Sequence, residues 1–143
     1  RKLILGEGKG SVAQYEANID VSSLERRMWS NKKVAGYVFK QMKEICARKG
    51  SRLLLVMDGD RNAVYREAAD IAAAPSRALR LNRMVAKIAE QYAVDFIDLQ
   101  DVFLNDYLQN RRRFNFESDG HWNAYGHEVA ADAVEKFLAS QGY

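Results

Sequence analysis

Cysteine, histidine and proline are scarce in this sequence of 143 residues, which contains one Cys, one Pro and two His. A single cysteine, Cys46, excludes an internal disulfide, and one Cys with two His offers too few ligands for a structural zinc site. The longest purely apolar run, Leu53 to Met57, has the length of a buried strand and is far shorter than the roughly 20 residues of a transmembrane helix. We therefore expect no membrane span, no metal and no organic cofactor.

The charge is nearly balanced, with 22 basic and 19 acidic residues, a net charge of +3 and an isoelectric point near 9.0. Acidic residues are interspersed throughout, which is not the pattern of a nucleic-acid-binding protein. The one dense basic cluster is Arg111–Arg113. It indicates either a solvated loop or a contact for an anionic substrate or surface.

The first strong helical pattern begins after Ser22 and Ser23, either of which could cap the helix, and ends at Gly50. Gly36 lies in the middle, so the pattern fits one helix or two shorter pieces. The apolar side of this helix consists of Leu24, Met28, Val34, Val38, Met42 and Ile45.

Two apolar stretches, Arg52–Met57 and Val94–Leu99, predict parallel strands. An amphipathic helix over Arg77–Tyr92 lies between them, and a closing helix over 123–140 follows a loop. Strands that alternate with helices predict an α/β fold, with residues 1–143 as a single domain or part of one. A sheet of so few strands exposes an unpaired edge, so we expect a further segment or a second copy of the chain to cover it.

Three shorter segments have weaker patterns. Residues 3–5 predict a short strand that ends in the glycine-rich turn Gly6 to Ser11, whose spacing does not fit a phosphate-binding loop. Residues 64–74 predict irregular or weakly helical structure, interrupted by Pro75.

Acidic residues follow the predicted strands, where ligands gather in parallel α/β sheets. Asp58, Asp60 and Asp98 could together bind Mg²⁺ in a phosphohydrolase. However, Arg61 and Asn62 stand where the hydroxyl-bearing residues of such phosphatases are expected. A turn stabilised by aspartate hydrogen bonds is the alternative for Asp58 and Asp60.

The acid with a chemical partner is Asp119, in the tripeptide Asp119-Gly120-His121. In an extended loop, residues two apart project to the same side, so the carboxylate can accept a hydrogen bond from one imidazole nitrogen. That bond fixes the tautomer and leaves the other nitrogen free to accept a proton. The arrangement supplies two of the three groups of a catalytic triad, the third being the serine that they activate.

The longer segment DGHWNAYGH, residues 119–127, resembles the last sequence block of the SGNH, or GDSL-type, hydrolases. The resemblance extends more weakly over residues 24–140. It implies a three-layer, flavodoxin-like α/β fold of which this chain is the carboxyl-terminal portion. It also implies a serine esterase or acyltransferase acting on small acyl esters, such as acetyl groups on carbohydrates. In that family the histidine is the general base and the aspartate orients it, roles that fall on His121 and Asp119. The resemblance favours a periplasmic or secreted bacterial protein.

The family's Gly-Asp-Ser block and its oxyanion donors are not recognisable in this sequence. Ser11 lacks the block's neighbours, and Ser118 is interpreted as a loop hydroxyl. Some alginate-acetylating relatives place the Asp-x-His-Trp block before the serine, but only a short stretch follows the motif here. The expectation is therefore a serine supplied by an amino-terminal segment. The alternative is a non-catalytic binding or assembly module that retains the motif.

Two neighbours of the motif have simpler interpretations. His127 is predicted to be a structural, partly buried histidine one helical turn after Asn123, which is predicted to cap the last helix. Trp122 is predicted to pack into the core rather than to stack on a substrate.

Overall fold

The computed structural model describes residues 15–16, 19–69 and 76–142. The predicted strand at 3–5, the turn at 6–11, Ser11 and Pro75 lie outside the described residues. In chain order the elements are β1 (Tyr15–Glu16), β2 (Ile19–Asp20), α1 (Val21–Arg48), β3 (Leu54–Met57), α2 (Arg61–Ala68), α3 (Leu79–Gln91), β4 (Asp95–Asp98), α4 (Leu99–Asn110) and α5 (Ala124–Ser140).

Helix α1 is one continuous helix, so the two-piece alternative is wrong. Its N-cap is Asp20, whose carboxylate accepts the backbone N–H of Ser23 at 3.1 Å, and neither predicted serine caps it. Gly36 does not break the helix. It lies against Tyr92 at the end of α3, where an added Cβ would come within 3.0 Å of the ring. The predicted end is confirmed, because Gly50 adopts φ 69° directly after the helix.

Strands β3 and β4 pair in parallel, with Leu54 opposite Asp95 and Met57 opposite Asp98. Helices α2 and α3 form the crossover between them, as parallel pairing requires. The aligned register brings the carboxyl ends of both strands to the same edge, beside the start of α2. The structure confirms both predicted strands, the helix between them and the closing helix, each to within two residues at either end.

One prediction about local structure is wrong, and for part of another segment the structure decides between the irregular and helical alternatives in favour of helix. Residues 99–110 form α4, although a loop was expected. Asp98 caps this helix by accepting the backbone N–H of Gln100 at 3.0 Å, so strand and helix share one residue as their boundary. Residues 64–68 belong to α2, because Asp60 accepts the N–H of Ala63 at 3.2 Å and starts that helix.

The described residues contain a two-stranded parallel sheet and a separate antiparallel pair, β1–β2. A three-layer sandwich is not seen in this part of the chain. The α/β class is present, but the described residues are mostly helical.

The core lies between β4, α2, α4 and α5 and is rich in aromatic rings. Phe103 and Phe114 are fully buried, with ring centroids 4.5 Å apart. Phe114 also stacks on Tyr125, and Trp122 meets Phe103 edge-on. The buried apolar residues of this core are Val64, Ile97, Leu99, Phe103, Phe114, Val129 and Ala130.

Two apolar surfaces remain exposed. On α1, most of the predicted apolar side is at least 40% exposed, namely Val34, Val38, Met42 and Ile45. A groove of about 910 Å³ runs between β3 and α5 and includes the half-exposed Val56 and Leu138. In the described part of the chain, these surfaces carry apolar side chains that no element covers.

Candidate functional site

The loop between α4 and α5 carries the Asp119-Gly120-His121 motif and is closed at its base. Asn115 and Trp122 form an antiparallel bridge, and the N–H of Asn123 donates to the carbonyl of Phe114 at 2.8 Å. The Asn123 side chain caps α5 by accepting the N–H of Gly126 at 2.9 Å, which confirms the predicted cap. The same side chain donates to the carbonyls of Arg113 and Asn115.

Helix α5 starts close to this loop because residue 126 is a glycine. A Cβ at Gly126 would collide with the carbonyl oxygen of Phe114 and lie 3.2 Å from the Cβ of Trp122. Backbone carbonyls cannot move out of the way as flexible side chains can. The glycine of the motif is therefore explained by close contact between the helix and the loop that carries the two predicted site residues.

Asp119 and His121 lie together, as predicted. One carboxylate oxygen of Asp119, Oδ1, accepts the backbone N–H of His121 at 2.7 Å and also contacts ring Nδ1 of the same residue. The side chains are 49% and 88% exposed. A charged carboxylate at Nδ1 favours the tautomer with the proton on that nitrogen, which leaves the lone pair on Nε2.

The pKa of the Asp119 carboxyl lies below its ordinary value, first because of the backbone hydrogen bond from His121 and second because of the ring hydrogen bond. A depressed pKa in the folded state means that the pairing stabilises the fold above the unfolded-state pKa. This contribution is lost as the pH falls through the lower, folded-state value. The carboxylate thus stays charged, and able to orient the ring, at pH values where an ordinary aspartate begins to protonate.

This pairing predicts a graded response of the Asp119 pKa. In His121→Ala the ring bond is lost but the backbone N–H remains, so the pKa is expected to rise only part of the way towards that of unfolded aspartate. Titration of the carboxyl ¹³C chemical shift by NMR measures it, with the same protein in urea as the reference. A full return to the reference value in His121→Ala would show that the backbone bond does not contribute.

Arg61, at the start of α2, connects the loop to the end of β3. Its Nη1 lies 2.9 and 2.7 Å from the two carboxylate oxygens of Asp58, and its Nη2 donates to the carbonyl of Gly120. The indole N–H of Trp122 donates to Asp58 at 3.2 Å. Gly120 and Trp122, the neighbours of His121 in the chain, are therefore both hydrogen-bonded to the Asp58–Arg61 ion pair.

Two clefts meet at this ion pair. The first, of about 430 Å³, is lined by Asp58, Arg61, Trp122, His127 and the Asp119–His121 tripeptide. The second, of about 380 Å³, extends from Asp58, Arg61 and Gly120 towards Asn82 and Asn115. The ring of His121 thus lies at a polar cleft that is open to solvent.

The three aspartates considered as magnesium ligands in the phosphohydrolase alternative are hydrogen-bonded to donors of the protein. Asp60 is buried and accepts the hydroxyl of Ser76 at 2.6 Å. Asp98 accepts the side-chain amide of Asn82 at 2.8 Å, and Asp58 pairs with Arg61. Among the described residues, no cluster of three or more acidic, His or Cys side chains has a geometry that could hold a metal.

A buried polar network beneath the site was not predicted from the sequence. The amide of Asn82 joins both strand ends, because it also donates to the carbonyl of Asp58 at 2.9 Å. Gln100 accepts the N–H of Asp60 at 2.8 Å, and its own Nε2 is buried without a hydrogen-bond partner among the described residues. The available signal was Asn82 itself, a polar residue on the otherwise apolar, buried side of α3 with Val85 and Ala89.

The remaining predicted residues are placed as follows. Trp122 is half-buried against Phe103, in agreement with a core contact, yet it also lines the cleft. His127 is exposed rather than partly buried, with its ring 5.3 Å from that of Trp122. Ser118 is exposed. In the described part of the chain, no serine hydroxyl is hydrogen-bonded to His121.

The guanidinium groups of Arg111–Arg113 are exposed and each lies over a tyrosine ring. Arg112 is 3.7 Å from the ring centroid of Tyr125, and Arg113 is 4.8 Å from that of Tyr65. Arg111 lies over Tyr107 and donates to the carbonyl of Ala68 at 3.0 Å. Stacking on the tyrosine rings therefore holds the Arg111–Arg113 cluster against the protein surface.

The described residues thus contain a parallel βαβ unit and, in the loop before the last helix, the Asp119–His121 pair. Residues 27–143 match the family model described as "SGNH hydrolase-like domain, acetyltransferase AlgX". The chain belongs to that family. No match was found among curated proteins or among solved structures. In the described residues, no helix combines the length and apolar character needed to cross a membrane.

Proposed function

We propose that this chain supplies the Asp–His part of a serine acyltransferase or esterase that moves small acyl groups, acetyl in particular. The observation that carries the proposal is the contact of Asp119 with both the backbone N–H and the ring of His121 at an open cleft. Membership of a family described by an acetyltransferase supports acetyl as the group. A carbohydrate hydroxyl or water as the acceptor is what the resemblance to the SGNH hydrolases implies.

In the proposed reaction, Nε2 of His121 takes the proton of a serine hydroxyl while the serine oxygen attacks the acyl carbonyl. The imidazolium then gives the proton to the departing alcohol, which leaves an acyl-serine. A second hydroxyl loses its proton to the same nitrogen and attacks the acyl-serine, so that the serine is regenerated. Asp119 stabilises the imidazolium and keeps the ring in the required tautomer.

The serine is proposed to come from outside the described residues. The SGNH resemblance places it before the motif in most members and after it in some alginate-acetylating relatives. We further propose that the β3–β4 sheet is part of a three-layer α/β domain. The exposed groove beside β3 would then be covered by a further segment of the protein or by a second copy.

The function is tested by trapping the acyl-enzyme. The full-length gene product is incubated with p-nitrophenyl acetate, quenched in acid and mapped by peptide mass spectrometry over its whole length. We expect release of p-nitrophenolate and one acetylated serine, whose labelling is absent in His121→Ala and unchanged in the presence of a chelator.

Two outcomes would contradict the proposal. Failure of the protein to form an acyl-serine, with no p-nitrophenolate release above buffer, would favour the non-catalytic module. Hydrolysis of p-nitrophenyl phosphate that is lost in chelator and restored by Mg²⁺ would instead favour the phosphohydrolase, in which the acids at the strand ends bind metal.

A further inference from the structure

The Arg61 side chain is well placed to act on the motif loop from a separate element. Its side chain is only 16% exposed, whereas that of its partner Asp58 is 50% exposed. A guanidinium that is largely removed from water needs compensating acceptors. Here it has the Asp58 carboxylate on one side and the Gly120 carbonyl on the other.

These contacts flank His121 in the chain. Arg61 binds the carbonyl of the residue before it, and Asp58 accepts the indole N–H of the residue after it. Glycine has more backbone freedom than other residues, so the orientation of the Gly120 carbonyl depends strongly on the hydrogen bond that it accepts from Arg61. The orientation of the Asp119–His121 pair thus depends on an ion pair that belongs to the β3–α2 turn.

We propose that Arg61, held by Asp58, is a positioning residue for His121 in the acyl-transfer reaction, a proposal that rests on the function proposed above. It acts through the Gly120 peptide and does not itself need to touch the substrate. Its fork geometry matters more than its charge, because one guanidinium plane reaches the carboxylate and the carbonyl at once. A lysine ammonium is a single point and does not reproduce that bridge.

Arg61→Lys is the direct test, since it keeps the charge and removes the fork. We expect kcat of the full-length protein for p-nitrophenyl acetate to fall about 10–100-fold, as for a small displacement of a reacting group, with KM changed less than about twofold. We also expect the ¹⁵N shifts of the His121 ring to move towards a mixture of tautomers. Arg66→Lys, on the exposed side of the same helix, is the matched control and is expected to leave all three measurements unchanged.

A double variant separates positioning from a general structural effect. If Arg61 acts through His121, then Arg61→Lys causes no further loss of activity in a His121→Ala background. Trp122→Phe is a second, milder variant of the same network, because it removes the indole N–H and retains a ring against Phe103. We expect it to lower kcat in the same direction but by less.

Three results would overturn the proposal: an unchanged kcat in Arg61→Lys, an equal loss in the His121→Ala background, or unaltered ring ¹⁵N shifts. The NMR measurement does not require turnover. The protein could lack acyl-transfer activity while Arg61→Lys still shifts the tautomer of His121. That combination would contradict the proposed function but not the positioning of His121 by Arg61.

Discussion

Replacement of His121 by alanine is expected to lower kcat for p-nitrophenyl acetate by about 10²–10⁴-fold, the usual contribution of a general base. The ester has an activated leaving group that departs without a proton, so the loss reports on deprotonation of the serine. The His121 side chain is 88% exposed, so its removal leaves no cavity and we expect the variant to fold normally. Added imidazole should restore part of the activity by entering the open cleft of about 430 Å³.

His127 provides the matched control, because it is the other histidine of the chain and lines the same cleft. Its ring lies against Trp122 and has no carboxylate partner among the described residues. We expect His127→Gln to lose less than about tenfold, well below the range for a lost base. A larger loss in His127→Gln than in His121→Ala would transfer the role of base to residue 127.

Phe114→Ala is expected to destabilise the fold by about 3–5 kcal/mol, the range for truncation of a buried phenylalanine. Phe114 is fully buried and its ring is stacked between those of Phe103 and Tyr125. The loss is a large part of the total stability of a domain, which is about 5–15 kcal/mol. The free energy of unfolding from urea denaturation, monitored by far-UV circular dichroism, measures the effect.

Phe116→Ala is the control for this prediction, since residue 116 lies in the same loop and is 53% exposed. We expect a change within about 0.5 kcal/mol, as for an ordinary surface substitution. Similar losses in both variants would mean that the loop, rather than the ring of Phe114, determines the stability. The activity of Phe114→Ala should be measured well below its unfolding midpoint.

Much of the fold was predictable because the responsible signals are local. The run Leu53 to Met57, the cation-rich end of α1 before Gly50, and Asn123 as a cap each act within a few residues. Helix α4 was missed for a local reason as well. Asp98 ends a strand and caps a helix at once, so the sequence offers no turn residues between them. The predicted apolar side of α1 proved exposed, because periodicity identifies an apolar face but not what covers it.

The site was predictable only in part. The pair Asp119 and His121 follows from a spacing of two residues and from the motif around it. Arg61 was considered only as evidence against a phosphatase, because its contact with Gly120 joins residues 59 positions apart. Sequence distance of that size is bridged only by the tertiary fold. The same holds for Asn82, whose amide joins the ends of two strands.

The bridge between Asn115 and Trp122 separates the tip of the motif loop from its base. Glu117 and Ser118, at the tip, are exposed. Substitution of these two side chains would change what an incoming molecule meets at the rim of the cleft without removing the bridge at the base of the loop. Under the proposed function, the tip of the loop is therefore where we expect the choice of alcohol to vary while the Asp119–His121 pair is kept.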